Sequence, residues 1–238
     1  MDGWLDLGRT GAEVLLAQEA RPVADVLPVP PGYDVTSLRP GSAWGSVVAV
    51  RHLDVDLRWR PAHQVLDAFG AYVGSSLLQV RGLEIAVVSV HSPTSWYPGL
   101  WEAVGKEGPA PSGRGRPWPS EVLLDALVDA LRGREVIVAG DFNEALNYPA
   151  DGDAGAAEWF GRTTRAGWLE VVATVFGGRV RTNFTRQAKR SYQNDHVFVS
   201  TTVAAAVQRV SVWNEPERSE SDHAGIEVDF RLESLLRR

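Results

Sequence analysis

Six short apolar runs, several ending in a polar cluster and two opening on Asp-His, limit the folds open to this chain. They are EVLLAQE (Glu13–Glu19), GSVVAV (Gly45–Val50), LEIAVVSVHSPT (Leu83–Thr94), EVIVAGDFN (Glu135–Asn143), NDHVFVS (Asn194–Ser200) and ESDHAGIEVDF (Glu220–Phe230). Their length and β-branched content suit strands rather than helices. Helical periodicity lies between them. SEVLLDALVDALRGR (Ser120–Arg134) puts Val122, Leu123, Leu127 and Leu131 on one face, with Ser120 as N-cap and Gly133 as the stop. GAAEWFGRTTRAGW (Gly155–Trp168) is a weaker helical pattern. Strands alternating with helices predict an α/β or mixed α+β domain. No composition shift divides the chain, so residues 1–238 read as one domain.

Several functional classes are excluded or disfavoured. The chain has no Cys, which rules out disulfides, thiolate nucleophiles and Cys-ligated zinc. The opening MDGWLDLGRTGAEVLLAQEA lacks a basic start followed by a long apolar run, so no signal peptide is expected. No stretch approaches about 20 apolar residues, so no membrane span is expected either; a soluble, cytoplasmic protein follows as the expectation. The net charge of −6 argues against indiscriminate coating of DNA. All but Lys106 and Lys189 of the 24 basic residues are Arg, a skew that reads as compositional bias rather than phosphate recognition.

The polar ends of the runs hold the candidate chemistry, because sites in α/β folds gather at strand ends. In VIVAGDFN, continuation of the strand past Gly140 would project Asp141 and Asn143 to one side. The competing reading is a turn, since Asp and Asn favour turns and helix caps. The other strand-end groups are Glu19, His91, Asp195, His196, Asp222 and His223, which include three of the five His residues. The segment Ser95–Ser120 is rich in Pro, Gly and Trp and too long for an ordinary connection. Trp96, Trp101, Trp118, Arg114 and Arg116 either grip a nucleotide or pack on the core edge.

The order LLAQE, VVSVHSP, VAGDFN, NDHVFVS and SDHAGIEV, spread over residues 13 to 230, resembles the endonuclease/exonuclease/phosphatase superfamily of DNase I-like and exonuclease III-like enzymes. The resemblance implies a four-layer α/β sandwich, with two mixed β-sheets packed face to face and flanked by helices. It implies a divalent-metal-dependent phosphoesterase, most simply a nuclease, using Mg²⁺ or Mn²⁺. Glu19 then matches the metal carboxylate and Asp222 a residue close to the metal. Asp141 matches the group that orients or deprotonates the attacking water, and Asn143 the amide that holds water or phosphoryl oxygens. His223 matches the His on the scissile phosphate, and Asp195 the carboxylate fixing its tautomer. His91 matches a second His for phosphate or leaving group. The substrate class implied is nucleic acid; a phosphorylated small molecule or lipid is the alternative within the family.

Two features depart from the pattern. The strand and Asn that usually precede the metal Glu have no counterpart upstream of LLAQE, which keeps open a catalytically impaired binding protein. His196 stands where Tyr or Trp is commoner, and strand alternation turns it away from Asp195, which favours a packing role. The loop Arg181–Gln193 carries Arg186 and Arg190, read as substrate-binding residues on a basic rim; a solvated loop is the alternative. Asp151 and Asp153 read as surface turn residues.

Overall fold

A ladder centred on the run that ends at Asp141 organises the chain. The computed structural model describes residues 8–23, 26–39, 41–96, 98–104, 118–145, 152–184, 192–213 and 221–232. One sheet sets β4 (Asp54–Asp56), β5 (Val73–Val80), β6 (Leu83–His91), β7 (Glu135–Asp141), β9 (Asp195–Ser200) and β8 (Trp168–Glu170) side by side. β6 and β7 run parallel and the other neighbours antiparallel, so the sheet is mixed.

Side chains alternate across this sheet because the strand period is two. Ala86, Val88, Val90, Val136, Val138 and Phe198 face a helical layer. That layer is α1 (Gln64–Phe69), α2 (Pro98–Val104), α3 (Pro119–Ala130) and α4 (Gly152–Arg165). All four apolar positions expected on the 120–134 helix are buried. Truncating one, as in Leu127→Ala, costs about 2–5 kcal/mol. The start of α3 differs from expectation. Pro119 opens it, and the Glu121 carboxylate accepts a 2.7 Å hydrogen bond from the Trp118 backbone N–H. Proline's fixed φ suits the first helical position, which leaves Ser120 inside the helix, donating to Glu144. The weaker pattern forms α4, but Trp168 opens β8 instead of ending the helix.

Ile85, Val87, Ala139, Val197 and Val199 face the other way, onto a second β layer. It comes in two pieces. β1 (Val14–Ala20), β3 (Gly45–Val50) and β2 (Asp34–Val35) form one, and β10 (Val207–Trp213) with β11 (Gly225–Phe230) the other. Val48, Val50 and Val210 sit in the same buried cluster, so both pieces pack on one face of the mixed sheet. Among the described residues β1 pairs only with β3, and β11 only with β10. Tyr33, Leu27 and Leu38 cover the outer side of the three-stranded piece, over Leu15, Ala17, Val47 and Ala49. No helix among the described residues is long and apolar enough to cross a membrane.

Candidate active site

The register of the mixed sheet puts three polar strand ends in one row. His91 is the partner of Asp141 across β6 and β7, and Asp141 the partner of Asp195 across β7 and β9. Asp141 lies two residues past Ala139, so alternation turns it toward the second β layer. His223 arrives from that layer, just before β11. Its segment is fastened by the bonds Ala224 N–H to Thr182 carbonyl and Phe184 N–H to Asp222 carbonyl, both 2.7 Å. The His223 Nδ1 donates to Asp195 Oδ2 at 2.8 Å. Its Nε2 lies 3.2 Å from Asn183 Nδ2, 3.9 Å from Asp141 Oδ2 and 4.0 Å from Asp222 Oδ1.

Asp141 and Asn143 reconcile the two sequence readings. The strand does not continue: Asn143 has φ +50°, and its backbone N–H donates to Asp141 Oδ1 at 2.8 Å. That is an Asx-type turn, in a region Asn tolerates better than most residues. The pair still forms, because Asn143 Nδ2 donates to Asp141 Oδ2 at 3.2 Å and to the Ser92 carbonyl at 2.7 Å. Holding a non-glycine residue there costs roughly 1–3 kcal/mol, and such strain clusters at functional sites.

Glu19 is aimed by a second irregularity. Strand alternation would send it outward beside Ala17. The β1–β3 register shifts between Ala17 and Ala20, and Glu19 has φ +55°. A bulge of this kind re-aims a side chain, here to 3.8 Å from His91 Nδ1. Beneath it, Gln18 Nε2 donates to Ser89 Oγ at 3.0 Å, and Ser89 donates to the Ala17 carbonyl at 3.1 Å, tying the two β layers together. His91 Nε2 is 3.8 Å from Asp141 Oδ2, and its ring packs against Trp44 and Tyr72. Its buried Nδ1 has no hydrogen-bond partner among the described residues.

The electrostatics separate the groups. Burial first, then the charge of Asp195, pushes the Asp141 carboxyl up to about 7, against the pull of His223. Burial opposes charge on His223, but the hydrogen bond and charge of Asp195 outweigh it and raise the imidazole to about 9. His91 is lowered, chiefly by burial, with Glu19 partly offsetting. Asp141, Asp195 and His223 each offer one ligand atom, all within 4.8 Å of one another. Two close, buried carboxylates, one of them reluctant to ionise, are a donor set that a hard cation relieves, since such ions take oxygen ligands. The donors present therefore fit a divalent metal.

The remaining expectations resolve as follows. Glu19 and Asp222 flank the row with side chains 56% and 58% exposed. Trp96 packs at the core edge against Phe69 and Trp101. Arg186 and Arg190 lie outside the described residues, as do Arg114, Arg116, Lys189 and Asp151. His196 faces away from Asp195, among Phe142, Trp159, Phe160 and Phe198. Sequence reasoning missed Asn183, Ser92, Ser89 and Gln18. Gln18 and Ser92 sat beside chosen residues, but the other two carried no signal beyond being polar.

A model of the Endonuclease/Exonuclease/phosphatase family matches residues 7–223. No curated protein sequence matches the chain. Among solved structures, the chain is similar to a variant of the 3′ phosphatase NExo from Neisseria bound to product DNA hairpin, at 19% identity and TM-score 0.65, covering 96% of each chain. It is similar to AP endonuclease LMAP from Leishmania major at 15% identity and TM-score 0.65, over 95% of this chain and 80% of that one. An AP endonuclease from Archaeoglobus fulgidus aligns at 14% identity and TM-score 0.62, over 94% and 91%. At these identities the likeness is one of fold: a two-sheet sandwich with helices.

Proposed function

The chain belongs to the endonuclease/exonuclease/phosphatase family, and on that premise we propose that it hydrolyses phosphoester bonds of nucleic acid with a divalent cation, Mg²⁺ or Mn²⁺. The observation that carries the reading is the row His91–Asp141–Asp195, capped by His223 bonded to Asp195. It brings a charged imidazole beside a carboxyl held near neutrality. Groups whose environments push their pKa values apart divide acid and base work between them.

Each residue takes a role from its geometry. His223, kept protonated by Asp195, faces a phosphate with a positive Nε2. Asp141, with its carboxyl up near 7, takes a proton from an attacking water. Asn143 spends both amide hydrogens on Asp141 and Ser92, so it orients the Asp141 carboxylate rather than gripping phosphate. His91, its proton affinity lowered chiefly by burial, turns Nε2, 3.8 Å from Asp141 Oδ2, to the phosphate or leaving oxygen. A cation would be held by Glu19 and Asp222 beside the Asp141–Asp195 pair. When bound it neutralises phosphate charge and polarises the P–O bond.

Nucleic acid is favoured over lipid or small-molecule phosphoesters because solved structures of like fold include a 3′ phosphatase bound to product DNA hairpin and AP endonucleases. The test is hydrolysis of a DNA hairpin with a 3′-phosphate, a duplex with one abasic site, plasmid DNA, RNA and bis(4-nitrophenyl) phosphate, each with Mg²⁺, Mn²⁺ or EDTA. Metal-dependent turnover that collapses in Glu19→Ala, Asp141→Ala and His223→Ala supports the reading. Turnover unchanged in all three variants refutes it.

A further inference from the structure

His196 sits one residue from Asp195 but points into the helical side of the sheet, and its surroundings are not those of a space-filling ring. Aromatic centroids lie around it: Phe160 at 5.0 Å, Phe198 at 5.6 Å, Trp159 at 5.9 Å and Phe142 at 6.2 Å. A Phe would fill such a nest without the desolvation cost of an imidazole. Both ring nitrogens, however, are engaged. Nε2 lies 2.9 Å from the Glu144 carbonyl, which only accepts, so Nε2 carries the hydrogen. Nδ1 faces Gln193 Nε2 at 3.3 Å and the buried Glu170 carboxylate at 3.7 Å; burial opposes charge on the ring, but Glu170 outweighs it and raises the imidazole. The Gln193 amide is oriented by its Oε1, which accepts from the Val180 N–H at 3.1 Å.

The bond to Glu144 falls next to the left-handed residue of the site. Asp141 is held by the Ser92 N–H on its carbonyl at 2.7 Å, and Phe142 by its N–H to the Asn194 carbonyl at 3.0 Å. On the far side of Asn143, His196 fixes the next carbonyl. A strained residue keeps its conformation only where its neighbours over-determine it. We propose that His196 is a positioning residue: its hydrogen bond to Glu144 locks the turn that points the Asn143 amide at Asp141. β9 thereby serves the site from both faces, Asp195 toward the cleft and His196 from behind. The kinetic half of the inference rests on the proposed phosphoester hydrolysis, while the geometric half does not.

The test compares the unmodified chain with His196→Phe, which keeps the ring and loses the donor, and His196→Gln, which keeps an N–H for Glu144. Amide hydrogen exchange is read at Asn143, whose N–H is bonded to Asp141, with Phe198 and Val199 as reference amides. kcat and KM are read on bis(4-nitrophenyl) phosphate with Mg²⁺. In His196→Phe, Asn143 exchange rises about tenfold or more over unchanged reference amides. kcat falls, by up to about 10²-fold, at unchanged KM. His196→Gln recovers both. Asn143 protection and kcat both intact in His196→Phe overturn the proposal, as does an equal loss of protection at the reference amides, which marks a packing role. If the unmodified chain hydrolyses nothing, the hydrolytic reading fails, and Asn143 exchange alone decides the positioning role.

Discussion

Asp141 and Asp195 are register partners across β7 and β9, and one imidazole, His223, bonds the second at 2.8 Å while lying 3.9 Å from the first. One of the two carboxyls therefore has a committed counter-charge, and the other does not. The uncommitted one is the more exposed to the cost of burial.

Asp141→Asn trades that cost for lost chemistry. Hydrolysis falls by about 10²–10⁴, while Tm in EDTA rises at neutral and alkaline pH. The sign follows from linkage. A carboxyl raised from 3.8 to about 7 binds its proton more tightly in the folded state, so stability drops as pH climbs through that window. Each kcal/mol of relief moves Tm by about 2–4 °C. Calorimetry of the two proteins at pH 5 and pH 8 checks this: the gain belongs at pH 8.

His223 titrates in the next window. Its folded value of about 9 stands above the ordinary 6.5, so its contribution is complete below pH 6.5 and disappears as pH rises through 9. NMR titration of the histidine rings in EDTA orders them with His91 below the free imidazole and His223 well above it. In His223→Gln the slope of stability between pH 6.5 and 9 flattens.

Mg²⁺ raises Tm by mass action, by about 2.7 kcal/mol of stability at a hundred times its Kd. Glu19→Gln reduces the shift at fixed Mg²⁺, and Arg81→Gln, at a turn away from the site, leaves it unchanged. In Mg²⁺ the Asp141 carboxyl falls from its value near 7, since a bound cation reverses the local charge balance. Thermal scans across a metal series measure the first effect, and the acid limb of the pH–rate profile measures the second.

Gly140→Ala tests the packing under the row. Gly140 has φ +141°, and a Cβ there would come within 2.0 Å of the Val90 carbonyl oxygen. Backbone strain and overpacking add, and the variant loses about 3 kcal/mol or more. Urea denaturation reads the loss as a shift of midpoint. A midpoint within error of the unmodified chain would refute the close approach.

Strand periodicity and the polar ends of the runs made most of the row legible in the sequence. Ile85 to Val90 and Val136 to Ala139 alternate faces as a period of two demands. What escaped was geometry that breaks the period. The bulge that turns Glu19, and the left-handed φ that folds Asn143 back onto Asp141, leave no pattern in residue type. Asn183 escaped for another reason: its approach to His223, 3.2 Å between Nδ2 and Nε2, spans 40 residues and depends on two loops meeting. The start of α3 was misplaced because Ser120 outranked Pro119 as a signal, although Pro fits the first helical turn better.

The break between β1 and β11 reaches beyond topology. One piece of the second layer carries Glu19, and the other is entered through Asp222 and His223. Without a ladder between them among the described residues, each piece can detach from the mixed sheet as its own unit of local unfolding. Either opening dismantles the site while leaving the row on the mixed sheet in place. On the proposed function, a cation or phosphate touching Glu19 and His223 together would bridge the two pieces and so couple occupancy of the site to closure of the seam.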